Sequence, residues 1–299
     1  MKILITGANG YIGSALTRAL GESHEITGLV RHLSDTKHSY QVIGDICGIN
    51  AEDVSGFDCV VHTAAVAETT ANQAELQRVN VEGAKCIARA CHDAGVKRLI
   101  NLSSVKAAGE GNVGCLVPDQ PTSAYGLSKL QAEKEINAVL EGSKTRVVHL
   151  RFPLVYGVDI QNNFKKLIDI CRSPVPLPFA SLTASRSYCF VGNLIQLIEQ
   201  ELMAPESDLV VYVADPGPMT LPALLAELSS LQGYKMRLMR FPEALLEIGV
   251  RLAKPSYAKQ LFGNAVVDVS ATQRSFKDWQ PISTVDALRY LEIGRDGRI

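Results

Sequence analysis

The chain has 299 residues, 46% of them hydrophobic and 20% charged, with 30 Lys and Arg against 31 Asp and Glu. That is an ordinary globular composition, long enough for one large or two modest cores. The net charge of −1 leaves no basic excess to carry nucleic-acid or anionic-membrane binding by charge alone, and no apolar run approaches the ~20 residues that span a bilayer.

The apolar run at the N-terminus stops at Thr6-Gly7, too short for a secretion signal. A cytoplasmic protein is expected, with neither nucleic acid nor membrane as partner. The cysteines, Cys47, Cys59, Cys86, Cys91, Cys115, Cys171 and Cys189, form no C-x-x-C pair and none sits beside a His at zinc spacing. They read as reduced and structural, and no metal site is expected. His62 lies inside Cys59-Val-Val-His-Thr-Ala-Ala, where a packed, hydrogen-bonded histidine is the expectation.

In chain order, Lys2 to Thr6 is short, apolar and rich in β-branched residues, which predicts a buried parallel strand. It runs into Gly7-Ala-Asn-Gly10-Tyr-Ile-Gly13 and then a helical pattern from Ser14. Strand, glycine turn and helix together predict a pyrophosphate cradle, because glycines admit the phosphate to the backbone and a helix N-terminus offers free N–H groups. Gly7, Asn9, Gly10, Tyr11, Ile12 and Gly13 are the candidate contacts. A second strand, Glu25 to Val30, ends at Arg31. NAD-binding folds carry an acid near this point for the ribose 2′-hydroxyl, but the first acid here is Asp35. A guanidinium suits a 2′-phosphate, which favours NADP(H) and leaves NAD(H) open; the alternative is a solvated Arg at a strand end.

Residues 41–46 read as a third strand, placing Asp45 and Ile46 near the adenine, where a carboxylate accepts from the exocyclic amine. Residues 57–63 read as a fourth strand, closed by Thr63-Ala64-Ala65, whose small side chains leave room for a ribose. A helix over 75–94 contains Asn80 and Gly83. Glycine is costly in mid-helix, so a close packing contact is expected at Gly83. Residues 97–102 form a fifth strand leading into Ser103-Ser104-Val-Lys106. Strands alternating with helices in this half predict an α/β fold with a parallel, doubly wound sheet.

Tyr125 and Lys129 come next, four apart in a helical segment, so both lie on one face. A free phenol titrates near ~10 and needs a nearby cation to react at neutral pH. Ser104 follows a strand end, where ligands bind in such sheets. A hydroxyl, a phenol and an ammonium at the mouth of a dinucleotide site form a proton-relay and carbonyl-polarising set.

These features resemble the extended short-chain dehydrogenase/reductases, the NAD(P)-dependent nucleotide-sugar epimerase/dehydratase group. The resemblance rests on Thr6 to Gly13, Gly44-Asp45, His62-Thr-Ala-Ala65, Asn80-Val-Glu-Gly83, Ser103-Ser104, Tyr125-x-x-x-Lys129 and Leu150-Arg-Phe-Pro-Leu-Val-Tyr-Gly157, in the family's order. It implies a Rossmann domain and a cofactor lined also by Asn80, Leu102, Ser103, Tyr125, Lys129, Phe152, Pro153 and Val155. Asn163, in a segment similar to the family's capping helix, and Arg186, in one similar to its uridine-diphosphate-binding portion, are the implied substrate contacts, with Ser104 and Lys106. Ser104-Val-Lys106-Ala-Ala-Gly109-Glu110 looks more like the branch reducing UDP-2-acetamido-2,6-dideoxy-hexuloses for surface polysaccharide than like common UDP-galactose 4-epimerases. For Arg186 a surface salt bridge, for Asn163 a helix cap and for Lys106 a solvated loop residue stand as alternatives. Trp279 is expected in the core.

The remaining elements are read as strands over 145–152 and 209–214 and helices over 221–231, 242–254 and 284–291. Residues 1–155 and 189–215 are assigned to the dinucleotide-binding domain. Residues 156–188 and 216–299 are assigned to a smaller, discontinuous C-terminal substrate domain. The resemblance further implies a homodimer pairing the 75–94 and 123–140 helices.

The chemistry expected is reduction of the 4-keto group of a nucleotide sugar by NAD(P)H. Tyr125 gives a proton to O4, Ser104 donates to the same oxygen, and Lys129 lowers the phenol's pKa and, by resemblance, bonds the nicotinamide ribose. The same residues serve the alternative, NAD-dependent 4-epimerisation of UDP-glucose or UDP-N-acetylglucosamine. A non-catalytic dinucleotide-binding sensor is the third reading, disfavoured because Ser104, Tyr125 and Lys129 are all present.

Overall fold

The computed structural model describes residues 1–32, 39–67, 71–157, 163–172, 175–204, 209–253, 258 and 261–293. Lys2–Thr6 (β1) is the strand on which the sheet is built. Its side chains alternate, so Ile3 and Ile5 enter one core while Leu4 enters the other. Both faces are therefore covered, which is why the segment reads as a continuous apolar run.

In chain order follow Tyr11–Leu20 (α1), Glu25–Val30 (β2), Ser39–Val42 (β3), Ala51–Val54 (α2), Cys59–His62 (β4) and Gln73–Glu75 (α3). A π-helical stretch, Leu76–Glu82, links α3 to Gly83–Ala94 (α4), and Arg98–Leu102 (β5), Ala124–Leu140 (α5) and Arg146–Arg151 (β6) come next. After them run Val155–Tyr156 (β7), Asn163–Cys171 (α6), Ser185–Arg186 (β8), Cys189–Phe190 (β9), Val191–Met203 (α7) and Val210–Tyr212 (β10). The chain then forms Met219–Thr220 (β11), Leu221–Leu231 (α8), Glu243–Ala253 (α9), Ser270–Ser275 (α10) and Thr284–Ile293 (α11).

Seven strands make one sheet in the order β10-β6-β5-β4-β1-β2-β3, with every pairing parallel. This is the doubly wound α/β arrangement expected. The order reverses between β1 and β4, and ligands bind outside the strand C-termini at such a reversal. One sheet face carries α1 and α7 through Leu16, Leu20, Leu194 and Leu197; Trp279 joins this core, as expected, and donates Nε1–H to the Asn193 carbonyl at 3.0 Å. On the other face α4 and α5 pack through Ile87, Ala88, Ala132 and Ile136.

A further core gathers Tyr156, Phe164, Tyr188, Leu224, Leu225, Leu228 and Leu288. Asp215 ties it to α7: its carboxylate accepts from the Tyr156 hydroxyl at 2.6 Å, the Phe190 N–H at 2.7 Å and the Asn193 amide at 2.7 Å.

Two boundaries moved for physical reasons. The third strand is Ser39–Val42, not 41–46, because it follows the register of β2 from Thr27↔Ser39 to Val30↔Val42. Asp45 therefore lies beyond the strand and caps a 3₁₀ turn, Ile46–Gly48, by accepting from the Cys47 N–H at 3.1 Å. The helix over 75–94 starts earlier, at Gln73, because Asn72 and Glu75 form a reciprocal capping box. At Gly83 the expected close contact is present: a Cβ there would lie 2.6 Å from Ile46 Cγ2.

Candidate active site

The turn after β1 is shaped by two glycines. Gly7 has φ +66°, and a Cβ on it would lie 2.8 Å from the Ala64 Cα; one on Gly13 would lie 2.3 Å from the Gly7 carbonyl oxygen. Neither position tolerates a side chain. Gly10 caps α1 with no side-chain hydrogen bond to its first turn, so the positive end of that helix is left exposed for an anion. These residues fit the pyrophosphate of a dinucleotide. Ile12 is partly buried against the core, and Asn9 donates to the His32 carbonyl at 2.9 Å, fixing the chain just after Arg31, which is exposed at the end of β2. Asp35 lies outside the described residues.

The opposite wall is the end of β4. Thr6 Oγ1 accepts from the Ala64 N–H at 3.2 Å and lies 2.8 Å from His62 Nδ1; Thr63 Oγ1 donates to the Thr6 carbonyl at 2.5 Å. Burial pushes His62 down to about 3, so it is the packed, neutral, hydrogen-bonded histidine expected. Asn80 holds the next stretch: Oδ1 accepts from the Val66 N–H at 2.8 Å, and Nδ2 donates to the Val66 carbonyl and to Ser128 Oγ, each at 3.2 Å. Ser128 in turn donates to the Tyr125 carbonyl at 2.8 Å. Asp45 forms an ion pair with Arg78, and the Cys47 N–H together with Arg78 holds its carboxyl below the usual range. Ile46 packs into the core.

Ser104, Lys129 and the first turn of α5, which carries Tyr125, come together at the end of β5. Lys129 Nζ donates to the Leu102 carbonyl at 2.7 Å. Two residues on, Ser104 caps a 3₁₀ turn, Val105–Ala107, by accepting from the Lys106 N–H at 3.2 Å. The Val105 N–H of that turn donates to the Phe152 carbonyl at 3.1 Å, which brings Phe152-Pro153 and Val155 to the same edge. Ser123 caps α5 by accepting from the Gly126 N–H at 3.1 Å. A Cβ on Gly126 would lie 2.4 Å from the Lys106 carbonyl oxygen, so the first turn of α5, with half-buried Tyr125, rests directly on the Ser104 turn.

Sequence reasoning passed over what stands behind Lys129. Ser103 Oγ donates to Glu133. Glu133 also accepts from Arg151 Nε at 3.0 Å and Nη2 at 2.6 Å. Arg151 continues to Asp119 at 2.6 and 2.8 Å and to the Tyr212 hydroxyl at 2.9 Å. Burial opposes the Arg151 charge, but the bonds to Glu133 and Asp119 more than offset it and its pKa is raised. Glu133 follows Lys129 by four residues, so its place on the Tyr125–Lys129 face was available from spacing alone.

Lys129 is 4% exposed. Burial pulls its pKa from 10.5 to about 8, against the attraction of Glu133. The folded value lies below the unfolded one, so stability rises as pH climbs through about 8 and the buried charge is shed. Activity that uses the ammonium should fall over the same range. The shift corresponds to about 3 kcal/mol. Lys129→Met removes that cost and loses one bond to a buried carbonyl, worth about 1–3 kcal/mol. Denaturant unfolding at neutral pH should therefore change by less than about 1–2 kcal/mol while activity is lost; a larger fall would make Lys129 a structural residue.

The two implied substrate contacts lie elsewhere. Arg186 sits in β8, half-buried, with Nη2 donating to the Gly263 carbonyl at 3.0 Å. Burial lowers its pKa, against the neighbouring Tyr188; an anion would stabilise such a guanidinium. Asn163 opens α6, but its side chain and residue Asn162 lie outside the described residues. Lys106 is half-buried beside Ser104. Among the described residues no His/Cys/Asp/Glu group is arranged to hold a metal.

The NAD dependent epimerase/dehydratase family model matches residues 3–213. The UDP-glucose 4-epimerase of Vibrio cholerae is 30% identical over 304 residues, spanning 95% of this chain and 92% of its own. A ketoreductase of Stigmatella aurantiaca, acting on a 3-oxo-4-farnesyl-dihydroquinoline-1-oxide, is 29% identical over 264 residues, 81% of this chain and 76% of its own. The crystal structure of UDP-glucuronic acid 4-epimerase from Bacillus cereus with NAD shares the fold, with a TM-score of 0.79 over 99% of each chain and 19% identity.

Proposed function

Because the chain belongs to the NAD-dependent epimerase/dehydratase family, we propose that it is a nucleotide-sugar oxidoreductase that reduces a 4-keto group with NADPH. What supports this reading is that the first turn of α5, which carries Tyr125, rests on the Ser104 turn at the end of β5, where the buried Lys129 is anchored, and that the turn after β1 fits a dinucleotide. When bound, the reduced nicotinamide supplies the hydride. The chain's own residues manage proton and charge. Tyr125 gives its phenolic proton to O4 as the carbonyl becomes an alkoxide. Ser104 donates to the same oxygen, which stabilises the developing charge. Lys129, anchored on Leu102, holds a positive charge beside the phenolate that remains. Arg186 would take the diphosphate, the part common to nucleotide sugars of this kind. We place the substrate between the sheet edge and the elements around the core of Tyr156, Phe164 and Leu224.

Arg31 supports NADPH. It directly follows β2 in the stretch Val30-Arg31-His32, which contains no carboxylate. Arg31→Ala should raise the KM for NADPH roughly tenfold or more, the worth of a charge-assisted bond, and leave that for NADH unchanged. An unaltered preference between the two would remove the phosphate role.

The relatives support two directions. The Stigmatella protein's name describes net keto reduction, as in the first reading. The Vibrio protein's name describes 4-epimerisation, in which Tyr125 first acts as base and the hydride returns to the other face of the sugar. Stoichiometry separates them: a 4-keto sugar nucleotide should consume one equivalent of reduced cofactor under the first reading. Interconversion of UDP-hexoses without net cofactor change would establish the second.

A further inference from the structure

Helix α9 has no buried residue. Leu245, Ile248 and Leu252 recur at i, i+3 and i+7, on one face, and are 58%, 55% and 82% exposed. Phe241 and Met239, just upstream, extend the apolar surface. Beside it, Phe241, Leu246, Val250 and Leu261 line an open groove with almost no polar surface. The helix is attached at its start, where Thr183 donates to Glu243 at 3.5 Å. A contiguous apolar stripe of this kind marks an interaction surface.

The charge around it says what it meets. Among the described residues from 235 to 253 there are four basic residues, Lys235, Arg237, Arg240 and Arg251, against two acidic ones, Glu243 and Glu247. The acids do not face the stripe: Glu243 and Glu247 fall on a separate line of the helix with Arg251, which pairs with Glu247 at 2.6 Å. Lys235, Arg237 and Arg240 are exposed next to Met239 and Phe241. The whole-chain balance of −1 averages this segment away.

We propose that α9 and residues 235–241 dock on the surface of an anionic lipid bilayer, lying in the interface with Leu245, Ile248 and Leu252 among the acyl chains and the basic residues among the headgroups. Amphipathic helices with leucine and phenylalanine on one face and cations beside it bind in this way, by apolar burial plus attraction to anionic lipid. A second copy is the poorer occupant. Two copies would oppose cation to cation, and the helices expected to pair in a dimer, α4 and α5, lie on the sheet. The inference does not depend on the reaction catalysed.

Flotation of the purified protein with phosphatidylglycerol/phosphatidylcholine vesicles tests it. The protein should float with anionic vesicles, several-fold less with phosphatidylcholine alone, and less again as salt is raised. Leu252→Asp and the pair Arg237→Glu/Arg240→Glu should each abolish flotation while leaving the unfolding midpoint unchanged. No flotation, or flotation equal in Leu252→Asp, would overturn the proposal. So would sedimentation showing that Leu252→Asp dissociates an oligomer in a protein that ignores vesicles.

Discussion

Tyr125→Phe should lower turnover by roughly 10²–10⁴-fold, the usual contribution of a positioned general acid. The replacement keeps the ring and its half-buried packing. It leaves the Ser123–Gly126 cap, the seat of Gly126 on the Lys106 carbonyl and the Ser128 bond to the Tyr125 carbonyl in place. The hydroxyl is removed, and with it the proton that the mechanism transfers. Under the proposed mechanism Ser104 still donates to the oxygen that becomes charged, which is why the loss is not larger. Cofactor affinity should be unchanged, because the glycine turn and Lys129 are intact. Steady-state kinetics should therefore show a lower kcat with an unaltered cofactor KM. Turnover within a few-fold of the parent protein would exclude Tyr125 as the acid.

Arg151→Met should cost about 3–5 kcal/mol of stability. Arg151 and Glu133 are both 3% exposed, and the guanidinium fills both oxygens of Glu133 and both of Asp119. Taking it away leaves a carboxylate in the interior with Ser103 and Lys129 as neighbours. The same reasoning predicts rescue. Removing the partner as well, in Arg151→Met/Glu133→Leu, deletes the stranded charge and should recover more than half of the loss, a coupling that the double-mutant cycle reads directly. A single variant within 1 kcal/mol of the parent in denaturant unfolding would show that water, not Arg151, solvates Glu133. Because Glu133 also supports the charge on Lys129, the rescued variant should lose activity at a lower pH than the parent.

Much of this architecture was legible in the residues. The run Lys2–Thr6 followed by Gly7, Gly10 and Gly13 predicted the strand, turn and helix that the structure contains, because apolar runs and glycines answer to local rules. Gly83 announced its contact with Ile46 through its cost in a helix. The buried His62 followed from its apolar surroundings, and the buried Trp279 from the usual place of a tryptophan in a core. What escaped was set by partners distant in sequence. Gly126 is in an unremarkable place in the helix until the Lys106 carbonyl is seen against it. Arg151 is one residue of a strand until Asp119 and Glu133 close on it from two other segments. The end of β3 was misplaced because register is decided by β2, not by the strand's own composition. The exposed stripe of α9 has the spacing of a core helix, and only its exposure separates the two.

Hydride transfer between a nicotinamide and C4 of a nucleotide sugar is the step that the proposed function requires. The direct measurement is mass spectrometry and NMR of the product formed from a UDP-linked 4-keto sugar and NADPH deuterated on the transferring face. A single deuterium at C4 of the sugar, formed roughly 10²–10⁴ times more slowly when Tyr125→Phe replaces the parent protein, is the predicted result. A turned-over sugar with no label at C4, or label at C4 formed equally well without the Tyr125 hydroxyl, would contradict it.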